Sequence, residues 1–237
     1  MPDLILNEEE QMLQTLVRDF ADRELIPRAK EVDEKQEFSW ENWRGMADLG
    51  LTGVGIDTEY DGSGLAGYRK VAIVAEEVAR GDAGASVSVL AHLSLGTTTI
   101  YRFGNEEQKK RLVPSLASGK GIAAWALTEA GGGSDAAALQ TTATERDGMY
   151  FLNGSKMFIT NASVAETIVV FATHDRSLGY KGISAFVVNR DSPGLTVNPL
   201  HGKMGMRSST TDEIVFQDTP VPMENRLGEE GRGFNYA

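Results

Sequence analysis

The residues with most to offer chemically lie in one stretch, Trp125-Ala126-Leu127-Thr128-Glu129-Ala130-Gly131-Gly132-Gly133-Ser134-Asp135. Consecutive glycines let backbone N–H groups approach a ligand closely, and Ser134 adds a hydroxyl donor. Gly131, Gly133 and Ala136 also satisfy the G-x-G-x-x-A form of the dinucleotide fingerprint. That fingerprint needs a strand before it and a helix after it, so that a pyrophosphate meets a helix N-terminus. A strand pattern precedes it, but Leu139-Gln140-Thr141-Thr142-Ala143-Thr144 alternates and is rich in Thr, which reads as strand. A Rossmann site is therefore rejected, and an unliganded wide β-bend accounts for the glycines as well as a ligand cradle does. A second segment, Asn153-Gly154-Ser155-Lys156-Met157-Phe158-Ile159-Thr160-Asn161, sets an aromatic, Phe158, and a hydroxyl, Thr160, near a strand end. The pair suits a flat, heteroatom-rich ring, although core packing is the commoner role of a lone aromatic in a strand.

The elements that must position these segments change character midway. Asn7 and Glu10 have capping-box spacing, and Leu13, Leu16, Val17, Phe20 and Ala21 then fall on one helical face, with Pro27 expected to end or kink that helix. Ser39 caps a short helix over 40–49, stopped by Gly50. Gly53, Gly55, Gly62, Gly64 and Gly67 mark a loop; helices resume over 68–80 and 83–103, and Asn105 with Gln108 opens another that stops at Gly119. Beyond it the period falls to two. Strands are expected at 122–128, 139–145, 149–152, 156–160, 167–173, 183–188, 195–197 and 213–216, with Arg146-Asp147-Gly148 and Asn153-Gly154 as turns. Helices followed by strands predict two segregated layers, an α+β arrangement with its boundary near residue 120.

Composition narrows the chemistry. The chain has 237 residues, a net charge of −11 and 41% hydrophobic residues, enough for a packed core. It has no cysteine, which removes disulfides, thiolate metal sites and a Cys nucleophile. His92, His174 and His201 form no ligand pair at helical spacing, so no metal is expected. The acidic balance argues against a nucleic-acid partner, which needs a basic face. The opening MPDLILNEEEQ resembles no leader, and the apolar runs are far short of the roughly 20 residues a membrane span needs. A soluble, cytoplasmic protein is expected.

Both candidate segments resemble the flavin motifs of acyl-CoA dehydrogenases, in the same order and at similar separation. Phe103-Gly104-Asn105-Glu106-Glu107-Gln108-Lys109-Lys110 is similar to the family's G-x-E/D-E-Q-K helix start. Pro193-Gly194, Met204-Gly205-Met206-Arg207-Ser208-Ser209, Ile214-Val215-Phe216 and Val221-Pro222-x-Glu224-Asn225-x-Leu227-Gly228 match as well. Nearly the whole chain is covered. Residues 156–161 and 207–211 look most like the short-chain, butyryl-CoA type.

The resemblance implies a three-domain enzyme. An N-terminal α-helical domain (1–120) precedes a middle, antiparallel β-barrel-like domain (121–237) and a C-terminal helical bundle. Its implied activity is FAD-dependent α,β-dehydrogenation of a short-chain acyl-CoA to the trans-2-enoyl-CoA, within fatty-acid β-oxidation, with electrons passed to an electron-transfer flavoprotein. By the same resemblance Trp125, the backbone of Ala126 and Leu127, and the Thr128 hydroxyl meet the isoalloxazine edge. Ser134 lies near the flavin phosphate and the CoA chain. Phe158, at a position that is often Trp, lies against the ring, with Ile159 beside it and Thr160 near N5. The helix around 94–103 lines the acyl tail. The family's catalytic Glu belongs to the bundle, beyond Ala237, so no residue here is assigned as the base. Glu129 is near the flavin loop, but its family counterpart moves no proton. The implied expectations are a truncated chain, inactive alone, weak in FAD binding, and assembling as the family homotetramer only with the bundle. A non-catalytic flavin- or CoA-binding module and a purely structural fragment remain alternatives on the sequence, and these residues do not separate a dehydrogenase from an oxidase.

Overall fold

The computed structural model describes residues 5–237; residues 1–4, which open the stretch read for a leader, lie outside the described residues. Helix α1 (Glu8–Phe20) begins at a closed capping box, in which Asn7 accepts the Glu10 N–H and Glu10 accepts the Asn7 N–H. Pro27 does not end this helix. The chain widens into a π turn at Ala21–Leu25 and continues as α2 (Ile26–Lys35), which carries Pro27 in its first turn, where a missing N–H is tolerated. Ser39 caps α3 (Trp40–Asp48) by accepting the Asn42 N–H. Helix α4 (Tyr68–Gly81) follows the glycine-marked loop. The stretch expected as one helix runs as α5 (Ala83–Leu90), a π segment over Ala91–Thr97, and α6 (Thr98–Phe103). A second capping box, Asn105 with Gln108, opens α7 (Glu106–Ala117). Among the described residues no helix is long and apolar enough to cross a membrane.

Eight strands follow: β1 (Ala123–Ala126), β2 (Thr142–Arg146), β3 (Met149–Thr160), β4 (Thr167–Thr173), β5 (Ile183–Asn189), β6 (Leu195–Pro199), β7 (Thr211–Pro222) and β8 (Arg226–Leu227). The order β6-β7-β3-β2-β4-β5-β8 makes one open sheet rather than a closed barrel. The sheet is mixed where an antiparallel one was expected, because β1 and β2 both run parallel to β4. They share one edge of it end to end: β1 pairs with Thr167 to Val170, and β2 rejoins at Thr173. Residues 127–141 leave the sheet in the gap between them.

Asn153-Gly154 is a second departure. No turn forms there; β3 runs through it, because β7 pairs with both halves and absorbs the irregularity as a register shift between Leu152 and Gly154. Gly154 sits at φ +143, and a Cβ on it would come within 2.7 Å of Thr141 Cα. That close approach lets the returning loop cross over β3.

Strand β4 is buried along its whole length. Ile168 and Val170 face the interior of the sheet with Leu152 and Phe216, while Val169 and Phe171 face the helical layer against Ile100 and Val113. That two-sided burial removes the polar alternation of a half-exposed strand. Gly96 lets the π segment touch β1, since a Cβ there would lie 2.5 Å from the Ala123 Cβ.

Candidate functional site

The first candidate segment is the excursion from the β4 edge. Trp125 points to the helical layer and packs edge-on against Phe171, 5.1 Å between ring centres. Its indole Nε1 is buried with no partner among the described residues. The Ala126 side chain is enclosed in the sheet interior, so only its backbone can meet a ligand. Leu127 and Thr128 are half-buried, and neither of their N–H groups has a backbone partner among the described residues. Glu129 and Gly132 then close a turn through two reciprocal N–H···O=C bonds of 3.1 Å, while Gly133 and Ser134 are exposed.

The second segment comes to meet it. The Met157 N–H donates to the Thr128 carbonyl at 2.8 Å, so the two stretches form one rim. Next to that bond β3 carries a bulge between Lys156 and Ile159, and Phe158 occupies φ +61 with 65% of its surface exposed. A non-glycine residue in that region is strained by roughly 1–2 kcal/mol. A large apolar ring held outward on a strained backbone is unlike the core packing common for a lone strand aromatic. Ile159 is buried in the sheet interior, leaving only its backbone for the rim, and Thr160 is half-buried at the end of β3. The rim thus brings together Leu127, Thr128, Phe158 and Thr160, with Trp125 behind; Ser134 lies further along the exposed loop.

Beneath the rim lies a group that sequence reasoning missed. Lys156 is fully buried and donates to Glu129 Oε1 at 2.9 Å and to the Leu127 carbonyl at 3.1 Å. Glu129 also accepts the Thr141 hydroxyl (2.6 Å), the Thr141 N–H (2.9 Å) and the Gln140 N–H (2.6 Å). Burial drives Lys156 down to about 8, against the pull of Glu129. Burial also opposes ionisation of Glu129, yet the Lys156 charge and the Thr141 and Gln140 hydrogen bonds outweigh it and hold the carboxyl below its ordinary range. The only local signal was a lysine at an inward position of a period-two strand, in phase with the buried Tyr150 and Leu152.

His92, in the π segment, anchors the start of β1. It is completely buried; Nδ1 accepts the Ala123 N–H at 2.9 Å, and Nε2 faces the carbonyls of Leu116 and Thr52. Burial pushes its pKa down to about 4, the carbonyl contacts opposing. A cavity of about 180 Å3 opens between α4 and α6, lined by Val54, Tyr68, Leu93, Ser94, Thr98 and Tyr101 among others. A surface groove of about 930 Å3 runs along α1 past Met12, Leu16 and Leu65, and no candidate residue lines it.

Comparison with known proteins decides the family. Residues 7–120 match the acyl-CoA dehydrogenase N-terminal domain, and residues 124–219 match the acyl-CoA dehydrogenase middle domain. The chain belongs to the acyl-CoA dehydrogenase family. It is 40% identical over 235 residues to a short-chain-specific acyl-CoA dehydrogenase of Clostridium acetobutylicum, covering 99% of this chain and 62% of that protein. The structure of butyryl-CoA dehydrogenase from Megasphaera elsdenii superposes with a TM-score of 0.94 at 40% identity, covering 99% of this chain and 62% of that one. A Bacillus anthracis acyl-CoA dehydrogenase complexed with FAD gives a TM-score of 0.90 at 37% identity, covering 98% of this chain and 39% of that one. The chain spans about three-fifths of the length of the first curated relatives it matches.

Proposed function

We propose that this chain supplies the flavin bed and part of the acyl-CoA site of an FAD-dependent dehydrogenase that converts a short-chain acyl-CoA to its trans-2-enoyl-CoA. In this reading the helical part to residue 120 and the sheet part from residue 121 are its first two domains, and an electron-transfer flavoprotein is the electron acceptor. What supports it most is the shared rim: the Met157–Thr128 bond, between residues 29 apart, brings an exposed aromatic, Phe158, next to the Leu127 and Thr128 backbone. Those residues fit a planar ring with acceptors along one edge.

In this assignment the backbone of Ala126 and Leu127 and the Thr128 hydroxyl meet the ring's polar edge. Phe158 covers its face, Thr160 lies near the reacting nitrogen, and Ser134 contacts the phosphate and CoA chain. Held by these residues, FAD would supply the hydride-accepting chemistry at the substrate's β-carbon, and a carboxylate would take the α-proton. Glu129 is not that carboxylate. Both its oxygens are occupied by donors and it is enclosed beside Lys156, whereas a general base must reach its proton within about 3 Å. No residue of this chain is assigned as the base. The cavity between α4 and α6 suits the apolar end of a short acyl group, with Leu93 and Val54 in its wall.

The test is an FAD titration followed by anaerobic addition of butyryl-CoA. Flavin fluorescence should be quenched saturably by the chain. Joined to the C-terminal bundle of a butyryl-CoA dehydrogenase, the chain should also show butyryl-CoA-dependent flavin bleaching. Absence of saturable quenching in both forms would refute the reading.

A further inference from the structure

The Lys156–Glu129 pair stands where a stability argument alone does not put it. Lys156 is fully buried in β3, and replacing such a pair by apolar residues of like volume is often neutral or favourable for folding. What the pair does geometrically is more specific than stabilisation. Glu129 gathers the loop from both ends: its backbone closes the turn with Gly132, and its carboxylate holds the N–H groups of Gln140 and Thr141, where the excursion returns to the sheet. Lys156 reaches up from the other segment, one residue before Met157 and two before Phe158, and also holds the Leu127 carbonyl. The 15-residue excursion and the strained bulge therefore meet at a single ion pair. Besides it, the Met157–Thr128 backbone bond and the Thr141 hydroxyl, which also donates to the Ser155 carbonyl at 3.3 Å, tie the two segments, and β2 resumes its pairing with β3 at Thr142 and Asn153.

We propose that the buried Lys156–Glu129 pair is a two-armed lock that fixes the glycine loop and the Phe158 bulge relative to each other, so that Lys156, Glu129 and Thr141 are positioning residues for the planar ligand of this rim. None of the three reaches the rim's outer face; they act through Leu127, Thr128 and Phe158. The lock sets a spacing that neither segment sets alone. The loop is glycine-rich with little intrinsic shape, and the bulge holds Phe158 in a conformation that a free strand would relax. The positioning role rests on the flavin reading; the lock itself does not.

Two substitutions test it without stranding a buried charge. Thr141→Val removes, at nearly constant volume, the hydroxyl that donates to Glu129 and, at 3.3 Å, to the Ser155 carbonyl. The double substitution Glu129→Gln with Lys156→Met removes both charges together. Hydrogen–deuterium exchange is measured on the 237-residue chain without ligand, at the amides of Gly132, Gln140, Thr141 and Met157, with those of β4 as internal reference. FAD affinity and the visible absorption of bound FAD are measured in parallel. The expected result is at least tenfold faster exchange at all four amides in the double variant, and a smaller rise in Thr141→Val. FAD affinity should fall tenfold or more in the double variant, and at saturating FAD the resolved shoulders of the flavin band should blur, a change that global stability does not produce. Unchanged exchange at Met157, or a rise confined to the glycine turn, would overturn the lock. Faster exchange with unaltered FAD affinity and spectrum would overturn the positioning role. A native chain that takes up no FAD would remove the flavin reading, while the exchange rates would still decide the lock.

Discussion

Two buried glutamates, one in each layer, are held in opposite ways. In the helical layer Glu77 of α4 is 2% exposed, but its partners Arg18 and Arg80 keep 49% and 40% of their side chains in solvent. The Arg18 hydrogen bonds hold the Glu77 carboxyl below its ordinary range, with Arg80 adding to them against burial. In the sheet layer Glu129 faces a lysine with no exposure at all. The helical pair can trade a protein partner for water because long cationic side chains reach solvent. The sheet pair has no such exit. A buried carboxylate thus makes a forgiving contact in one layer and an obligatory one in the other, the difference lying in the exposure of the cation.

The sharpest way to break this contrast is to remove one partner from each pair. Lys156→Met alone should destabilise the fold by about 3–5 kcal/mol, since it leaves Glu129 enclosed without its counter-charge; denaturant melts would read it. Next in size is an acid effect through His92. Its folded pKa of about 4 lies below the free value of 6.5, so the unfolded chain binds the extra proton first. The stability this contributes is complete above pH 6.5 and is lost as pH falls toward 4, by ~3 kcal/mol in all. Melts across that range should show it, and His92→Asn, which keeps an acceptor near the Ala123 N–H, should flatten the dependence while lowering stability at neutral pH. Arg18→Met should cost far less than Lys156→Met, because Arg80 stays on Glu77 and solvent reaches the site. Equal losses for these two substitutions would erase the distinction between the layers.

The smallest expected effect has the opposite sign. Phe158→Gly relieves the left-handed strain and should leave stability unchanged or raise it by up to about 1 kcal/mol. FAD affinity should fall in the same variant, and Phe158→Trp should restore or increase it. A loss of stability in Phe158→Gly without a loss of affinity would make Phe158 ordinary packing.

Much of the helical layer is written locally. Asn7 with Glu10, and Asn105 with Gln108, form capping boxes because each needs only residues three apart. Pro27 shows where local rules weaken: it signals an end, but the preceding π turn lets the helix carry on. In the sheet, Asn153-Gly154 reads as a turn, and only the long partner β7 turns it into a bulge. The parallel edge of β4 was not legible either, because it depends on where the chain enters from the helical layer. At the site, the rim residues were readable as types, glycines and an aromatic at the right separation. Phe158's exposure and the Lys156–Glu129 contact were not, since one is a backbone torsion and the other joins positions 27 residues apart.

The end-to-end sharing of β4 has a further result. The mouth of the excursion is set by three residue steps along one rigid strand, from Val170 to Thr173, a span of about 10 Å at the usual strand rise. Both feet of the loop stand on that strand, so the sheet fixes the width of the doorway whatever passes through it. Residues 130–138 can then be exchanged, lengthened or shortened to suit a different guest without shifting the register of any strand.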